Sequence, residues 1–425
     1  MSTSADPRIA EAWNAAGKGD LDDAERLFEL ASHGPSAAEA VFGRGSIAAR
    51  RGDFSRAAEL LAEACRLEPG VPLHHYQLGV ALLALGRADA ATRSFRESVR
   101  LDPGFGEAWF NLGNAERSMG RLPEAIDALR QAATCPRPIE IARLAVAQTF
   151  RNAGRVDEAI DAAREALAQR DSWAEAWSEL GTCLAMKNDL RTAATCWERA
   201  LEIEPRHADS RFHLGVVSGM LGELERAESC YRALLREAPQ HGRARVNLAG
   251  VLMQRGQLDD AERELLSAAA SPGPESAVAL LAMADLRMRQ DRLAEAERSY
   301  RQVVQLLPRE LRPRIGLVGS LLALGRGGEA LREVDTAESI MPGRPEFAEA
   351  RVEALVLLSR LDEAMQVIDR VFAAHGPTAL RHGLRGRVLE AAGRTAEARM
   401  AFESALAIDP AFSPAADGLD RIAKG

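Results

Sequence analysis

Residues 174–207 read AEAWSELGTCLAMKNDLRTAATCWERALEIEPRH, and their pattern decides the fold. Two helical patterns are separated by a short break at Asn188 and Asp189. In the first, Trp177, Leu180, Gly181 and Leu184 share one face. In the second, Ala193, Trp197 and Ala200 recur at the i, i+4, i+7 spacing of an amphipathic helix. Pro205 ends the second pattern, because proline has no backbone N–H and its ring obstructs the preceding turn. Two helices joined by a tight turn form an αα-hairpin. One hairpin has no core of its own, so it must bury its apolar faces against copies of itself.

The copies are present. Equivalents of Ala193 are Ala24, Ala57, Ala91, Ala125, Ala159, Ala227, Ala261, Ala296, Ala330, Ala364 and Ala398, at steps of 33 to 35 residues. Four residues after each alanine stands a larger apolar residue, among them Phe28, Phe95, Trp197, Tyr300 and Phe402; Ala163 is the exception. Five residues before the alanine lies a glycine in nine copies, and Asn188, Asp291 or Ser359 in the other three. That is the left-handed position after a helix end, where glycine is favoured and Asn or Asp comes next. Twelve residues after the alanine, seven copies carry proline: Pro69, Pro103, Pro205, Pro239, Pro308, Pro342 and Pro410.

This register resembles the tetratricopeptide repeat (TPR), a 34-residue helix–turn–helix unit with a W-x2-L-G…A-x3-F…P signature. The fullest matches are Trp109-x2-Leu112-Gly113 and Trp177-x2-Leu180-Gly181, with weaker forms at Leu78-Gly79 and Leu214-Gly215. The resemblance implies an all-α, right-handed superhelical solenoid of about twelve repeats that binds other proteins. Repeats one to eight are placed at 5–273, nine to twelve at 274–410, and a capping helix at 411–425. The SPGP linker at 271–274 coincides with the one 35-residue step and marks the best place for a kink. Repeats nine to eleven carry Ala284, Val318 and Val352 where repeats two, three, four, six and seven have glycine, so their helix pairs are expected to pack wider. Repeat ten, with five glycines between Gly316 and Gly328, is expected to be the least stable.

Composition narrows the function. Fifty-four Lys and Arg stand against sixty-two Asp and Glu, a net charge of −8, which argues against a nucleic-acid footprint. The first residues show no secretory pattern, and the longest apolar run, at 315–325, is too short for a membrane span, so the expected location is cytoplasmic. The five cysteines include no CxxC and read as small buried thiols. The eight histidines form no metal-ligand spacing, and no glycine loop carries a P-loop lysine. No catalytic residue, metal or cofactor is therefore expected.

In the family, the first helix of each repeat lines an inner groove. By repeat position the central groove presents Tyr76, Phe110, Leu144 and Phe212 in one row. Asn114, Gln148 and Thr182 form a second row, and Arg117 and Arg151 a third. Such a strip suits an extended peptide or a partner helix, with the arginines taking carboxylates. The C-terminal groove differs, with Asp285, Arg289, Glu349, Glu353, Arg387 and Glu390. The carboxylate clamp of co-chaperones of this family needs a lysine where Phe110 stands and an asparagine where Ala145 stands. The asparagine ladder of O-linked N-acetylglucosamine transferases is matched only by Asn111 and Asn247. The function expected is a non-catalytic adaptor. The alternatives are a substrate-recruiting subunit of a separate glycosyl- or sulfotransferase, or a self-assembling scaffold.

Overall fold

The computed structural model describes residues 6–271 and 273–424. Among them every regular element is an α-helix, and there is no strand. The hairpins follow one another as α1 (Pro7–Lys18) and α2 (Leu21–Ala31), α3 (Ala37–Arg50) and α4 (Phe54–Leu67), α5 (Pro72–Ala84) and α6 (Ala88–Leu101), α7 (Gly106–Ser118) and α8 (Leu122–Thr134), α9 (Ile141–Asn152) and α10 (Val156–Gln169), and α11 (Ala174–Met186) and α12 (Leu190–Ile203). They continue as α13 (Ala208–Met220) and α14 (Leu224–Glu237), α15 (Gly242–Gln254) and α16 (Leu258–Ala269), α17 (Pro274–Arg289) and α18 (Leu293–Leu306), α19 (Leu311–Ala323) and α20 (Gly327–Ile340), α21 (Pro345–Leu357) and α22 (Leu361–His375), and α23 (Ala379–Ala391) and α24 (Thr395–Ile408). A last helix, α25 (Ser413–Lys424), packs on α23 and α24.

The repeated positions do what their residue types require. All twelve marker alanines, from Ala24 to Ala398, are fully buried, because a larger side chain would force the two helices of the hairpin apart. All twelve turn residues have positive φ, between 58° at Asp291 and 88° at Gly19. Nine are glycine, which has no Cβ to clash there. Ser359, at φ 59°, has neither that freedom nor the local hydrogen bonding that lets Asn and Asp tolerate this region. Ser359→Gly is therefore expected to stabilise the protein by about 1 kcal/mol. Unchanged hydrogen-exchange protection of α21 and α22 would contradict this.

Packing across each hairpin balances residue sizes. A Cβ on Gly181 would lie 2.9 Å from the Trp197 indole, one on Gly79 2.6 Å from Phe95, and one on Gly386 2.5 Å from Phe402. Where the first helix carries valine, the opposed residue is smaller: Val318 shares a core with Val334, and Val352 with Ile368. In these two hairpins the extra carbons on one helix are matched by fewer on the other. The glycines of repeat ten are also mostly spoken for. A Cβ on Gly316 would stand 2.4 Å from Tyr300, and Gly325 is the left-handed turn residue at φ 74°. An added Cβ would meet nothing at Gly319, Gly325 or Gly328, and of these Gly325 is held to glycine by its φ.

The tryptophan of the signature has a role that sequence did not expose. The indole N–H of Trp109 donates to the Pro103 carbonyl at 3.0 Å, and that of Trp177 to the Asp171 carbonyl at 2.7 Å. Each reaches six residues back to the linker after the preceding helix, where carbonyls lack helical partners. Equivalent positions keep the bond with other donors. His75 Nε2 reaches the Pro69 carbonyl at 2.9 Å, Arg245 Nη2 the Pro239 carbonyl at 2.8 Å, and Arg314 Nε the Pro308 carbonyl at 2.7 Å. Arg211 makes the same bond to Pro205. What recurs is a long side chain with an N–H, not an aromatic ring.

The chain falls into two compact units, 1–217 and 218–425, divided within α13. The linker with the 35-residue step lies inside the second unit, where α16 packs on α17. Pro272 lies outside the described residues; Gly273 beside it has φ 145° and precedes α17.

Candidate functional site

The groove expected at the centre lies on the first helices of the first unit, and the structure closes much of it. Leu144 and Phe212 are each 5% exposed, so they fill space between helices and do not form a surface strip. Tyr76 is half-buried, its ring 4.8 Å from Phe105, and its hydroxyl accepts from Asn111 Nδ2 at 3.1 Å. Phe110 is half-buried against Ala132, Ala133 and Ala142. The cover on Phe110 comes from alanines of α8 and α9, whose small side chains let the ring pack down between the helices.

The polar rows are similarly engaged. Arg117 Nη2 donates to Asn114 Oδ1 at 2.9 Å, and the Thr182 hydroxyl donates to the Ser178 carbonyl in its own helix at 2.9 Å. Arg151 Nε donates to Glu179 Oε1 at 2.5 Å, and Glu179 is only 7% exposed. Arg151 therefore neutralises a buried carboxylate of the next first helix and is not the open carboxylate receptor that its position promised. Gln148 remains partly exposed. Asn111 and Asn247, the two matches to the asparagine ladder, each donate to a tyrosine hydroxyl, of Tyr76 and Tyr231.

The second unit holds a hollow along its own first helices. It has a volume of about 510 Å³ and lies along α19, α21 and α23, which are neighbours. Ile315, Val318 and Leu322 of α19 form its floor, and Leu357 and Leu380 stand at its rim, 45% and 41% exposed. Glu346, Glu349 and Glu353 line it from α21, and Arg387 from α23. Residues 346, 349 and 353 follow the i, i+3, i+7 spacing, which puts all three carboxylates on one helical face. Arg381 Nε donates to Glu349 Oε1 at 2.8 Å, and Arg387 Nη1 to Glu353 Oε2 at 3.3 Å. Glu346 Oε2 is buried without a hydrogen-bond partner. Sequence reasoning placed Glu349, Glu353 and Arg387 on the C-terminal groove but missed Glu346 and the apolar floor. The signal available was the continuation of the inner-groove positions into repeats ten to twelve.

Groups that could carry chemistry are occupied with structure. Cys65, Cys135, Cys183 and Cys196 are buried and Cys230 is partly so; all five are unbridged. Burial pushes the Cys65 and Cys196 thiols up to about 11 and Cys183, beside the Glu179 carboxylate, up to about 12, so these three are not ready thiolates at neutral pH. His207 and His241 accept from backbone N–H groups at helix starts through Nδ1, from Ser210 at 3.2 Å and Ala244 at 3.1 Å. Among the described residues no group of three or more His, Cys, Asp or Glu side chains is placed to hold a metal ion, and no helix is long and apolar enough to cross a membrane.

Two tetratricopeptide repeat models match the chain, one at residues 9–72, 76–137 and 220–277 and the other at 174–207. Together these cover over half of it, and the chain belongs to the tetratricopeptide repeat family. A search of curated proteins finds no match. Among solved structures, a tetratricopeptide repeat protein from Parabacteroides merdae is 21% identical, with 59% of this chain and 98% of that one covered, at a TM-score of 0.46. Yeast Tom70 is 13% identical over 98% of this chain and 94% of its own, at a TM-score of 0.39. YrrB, described as a TPR protein with an unusual peptide-binding site, is 19% identical over 44% of this chain and 96% of its own, at 0.37.

Proposed function

We propose that this chain is a non-catalytic scaffold that holds a peptide or helix of a partner protein against the groove face of its first helices. The hollow between α19, α21 and α23 carries the reading. A volume of about 510 Å³ falls within the range of binding pockets, and it combines an apolar floor with a few placed charges. Exposed leucines at a rim of carboxylates mark a surface that gains by being covered. The helices that build it are held by their neighbours, so little is lost to ordering when a partner binds. The central strip of Phe110, Asn114, Arg117 and Gln148 is a second contact in this reading. Five unbridged cysteines fit a reducing compartment, which supports a cytoplasmic location.

A crosslinking pull-down from the source cells tests the proposal. Leu357→Glu with Leu380→Glu is expected to remove a partner that the wild type captures. Phe110→Ala with Arg117→Glu reports on the central strip; Arg151 is left intact because its loss would strand the buried Glu179. If both variants capture what the wild type captures, with helicity unchanged, groove recognition is wrong.

A further inference from the structure

We infer that the hollow of the second unit takes a basic amphipathic segment of a partner protein, one with apolar residues on one side and Lys or Arg beside them. The inference rests on the scaffold reading and names the chemistry of its partner. The apolar half of the argument is the floor, where Ile315 and Leu322 lie open to the hollow and Leu357 and Leu380 stand exposed at its rim. A segment that covers them removes four large side chains from water.

The charged half is a count of partners. Three carboxylates of α21 face the hollow, and two arginines of α23 answer them. Arg381 is 7% exposed and takes Glu349, while Arg387 takes Glu353. Glu346 is left over. Its place in the first turn of α21 accounts for a negative charge at that end of the helix, since the dipole there favours anions. The dipole does not account for a carboxylate oxygen that is buried and accepts no hydrogen bond. A buried acceptor without a partner is unfavourable, and an ammonium or guanidinium entering the hollow would supply one once the Glu346 side chain turns toward it. Glu353, whose bond to Arg387 is long at 3.3 Å and whose side chain is 34% exposed, lies about two turns further along the same face and offers a second contact. The spacing of Glu346 and Glu353 along α21, about 10 Å at 1.5 Å per residue, matches two cations placed two turns apart on a bound helix. An acidic segment would meet excess negative charge and is disfavoured.

The test uses the full chain and three fluorescein-labelled synthetic peptides: a Leu/Lys amphipathic helix, its Leu/Glu counterpart, and a Ser/Lys peptide of the same charge. Fluorescence anisotropy is expected to show the Leu/Lys peptide binding at least about tenfold more tightly than either of the others. Added salt should weaken it. The Glu346→Gln, Glu353→Gln variant should lose most of the preference, whereas Glu397→Gln, on α24 away from the hollow, should retain it. The inference fails if the Leu/Glu peptide binds as well, if the Ser/Lys peptide binds as well, if no peptide binds, or if the double variant is unchanged. It also fails if light scattering shows self-association that the double variant abolishes, since the occupant would then be a second copy. Loss of the peptide preference alongside intact, groove-dependent capture from cells would sink this inference and leave the scaffold reading standing.

Discussion

Phe402→Ala is expected to destabilise the C-terminal end of the protein by about 3–5 kcal/mol. Phe402 is fully buried on α24 and its ring is held between two glycines. A Cβ on Gly386 of α23 would come within 2.5 Å of that ring, and one on Gly418 of α25 within 2.6 Å. The ring therefore occupies space that neither flanking helix can fill when it is removed. Truncation leaves a void bordered by two residues without side chains, and the neighbours cannot collapse into it. The loss falls on α25 above all, because its Leu419 and Ile422 pack on the cluster that contains Phe402. In a repeat array a terminal unit has a neighbour on one side only, so it unfolds before the interior does. Hydrogen exchange is the sensitive measurement, because a single midpoint is poorly defined for a long array. Amides of α24 and α25 should exchange far faster in the variant while those of α3 to α12 keep their protection. Uniform exchange along the chain, or unchanged protection in α25, would contradict the packing.

Arg381→Leu is expected to destabilise by a similar amount, about 3–5 kcal/mol. Its guanidinium donates through Nη1 to the carbonyls of His375 and Gly376, both at 2.8 Å, and through Nε to Glu349 at 2.8 Å. The two side chains are 8% and 12% exposed, so solvent screens the pair little. Removing the arginine strands one carboxylate and two carbonyls at once. The double variant Arg381→Leu, Glu349→Leu removes the stranded charge and should regain part of the loss, leaving only the carbonyls unsatisfied. Hydrogen-exchange protection of α21 and α23 in the two single variants and the double completes the cycle. Equal stability of Arg381→Leu and the double variant would mean that the carboxylate is not what suffers. One more unpaired carboxylate, Glu349, lining the hollow is the functional corollary of the single change.

The groove shows where sequence reading stops. Phe110 and Arg117 keep part of their surface exposed, yet Leu144 and Phe212, chosen by the same register, are covered. Arg151 looked free because its partner, Glu179, lies 28 residues on, in the next repeat. The register says which direction a side chain leaves its helix, but not whether the neighbouring helix comes close enough to cover it.

By itself the sequence determined the repeat, its twelve fully buried alanines and its twelve left-handed turn residues. Those properties depend on residues within one hairpin, where Cβ sterics and a fixed helical period settle the conformation locally. It also carried, unread, the exchange of size between facing positions, since Val318 with Val334 and Gly386 with Phe402 are each written 16 residues apart. Only the tertiary structure decided which groove positions stay open, which arginines are neutralised, and that Glu346 faces an apolar floor without a partner. Those outcomes depend on how closely three first helices approach one another and on where long side chains find charge, and neither is encoded within a single repeat.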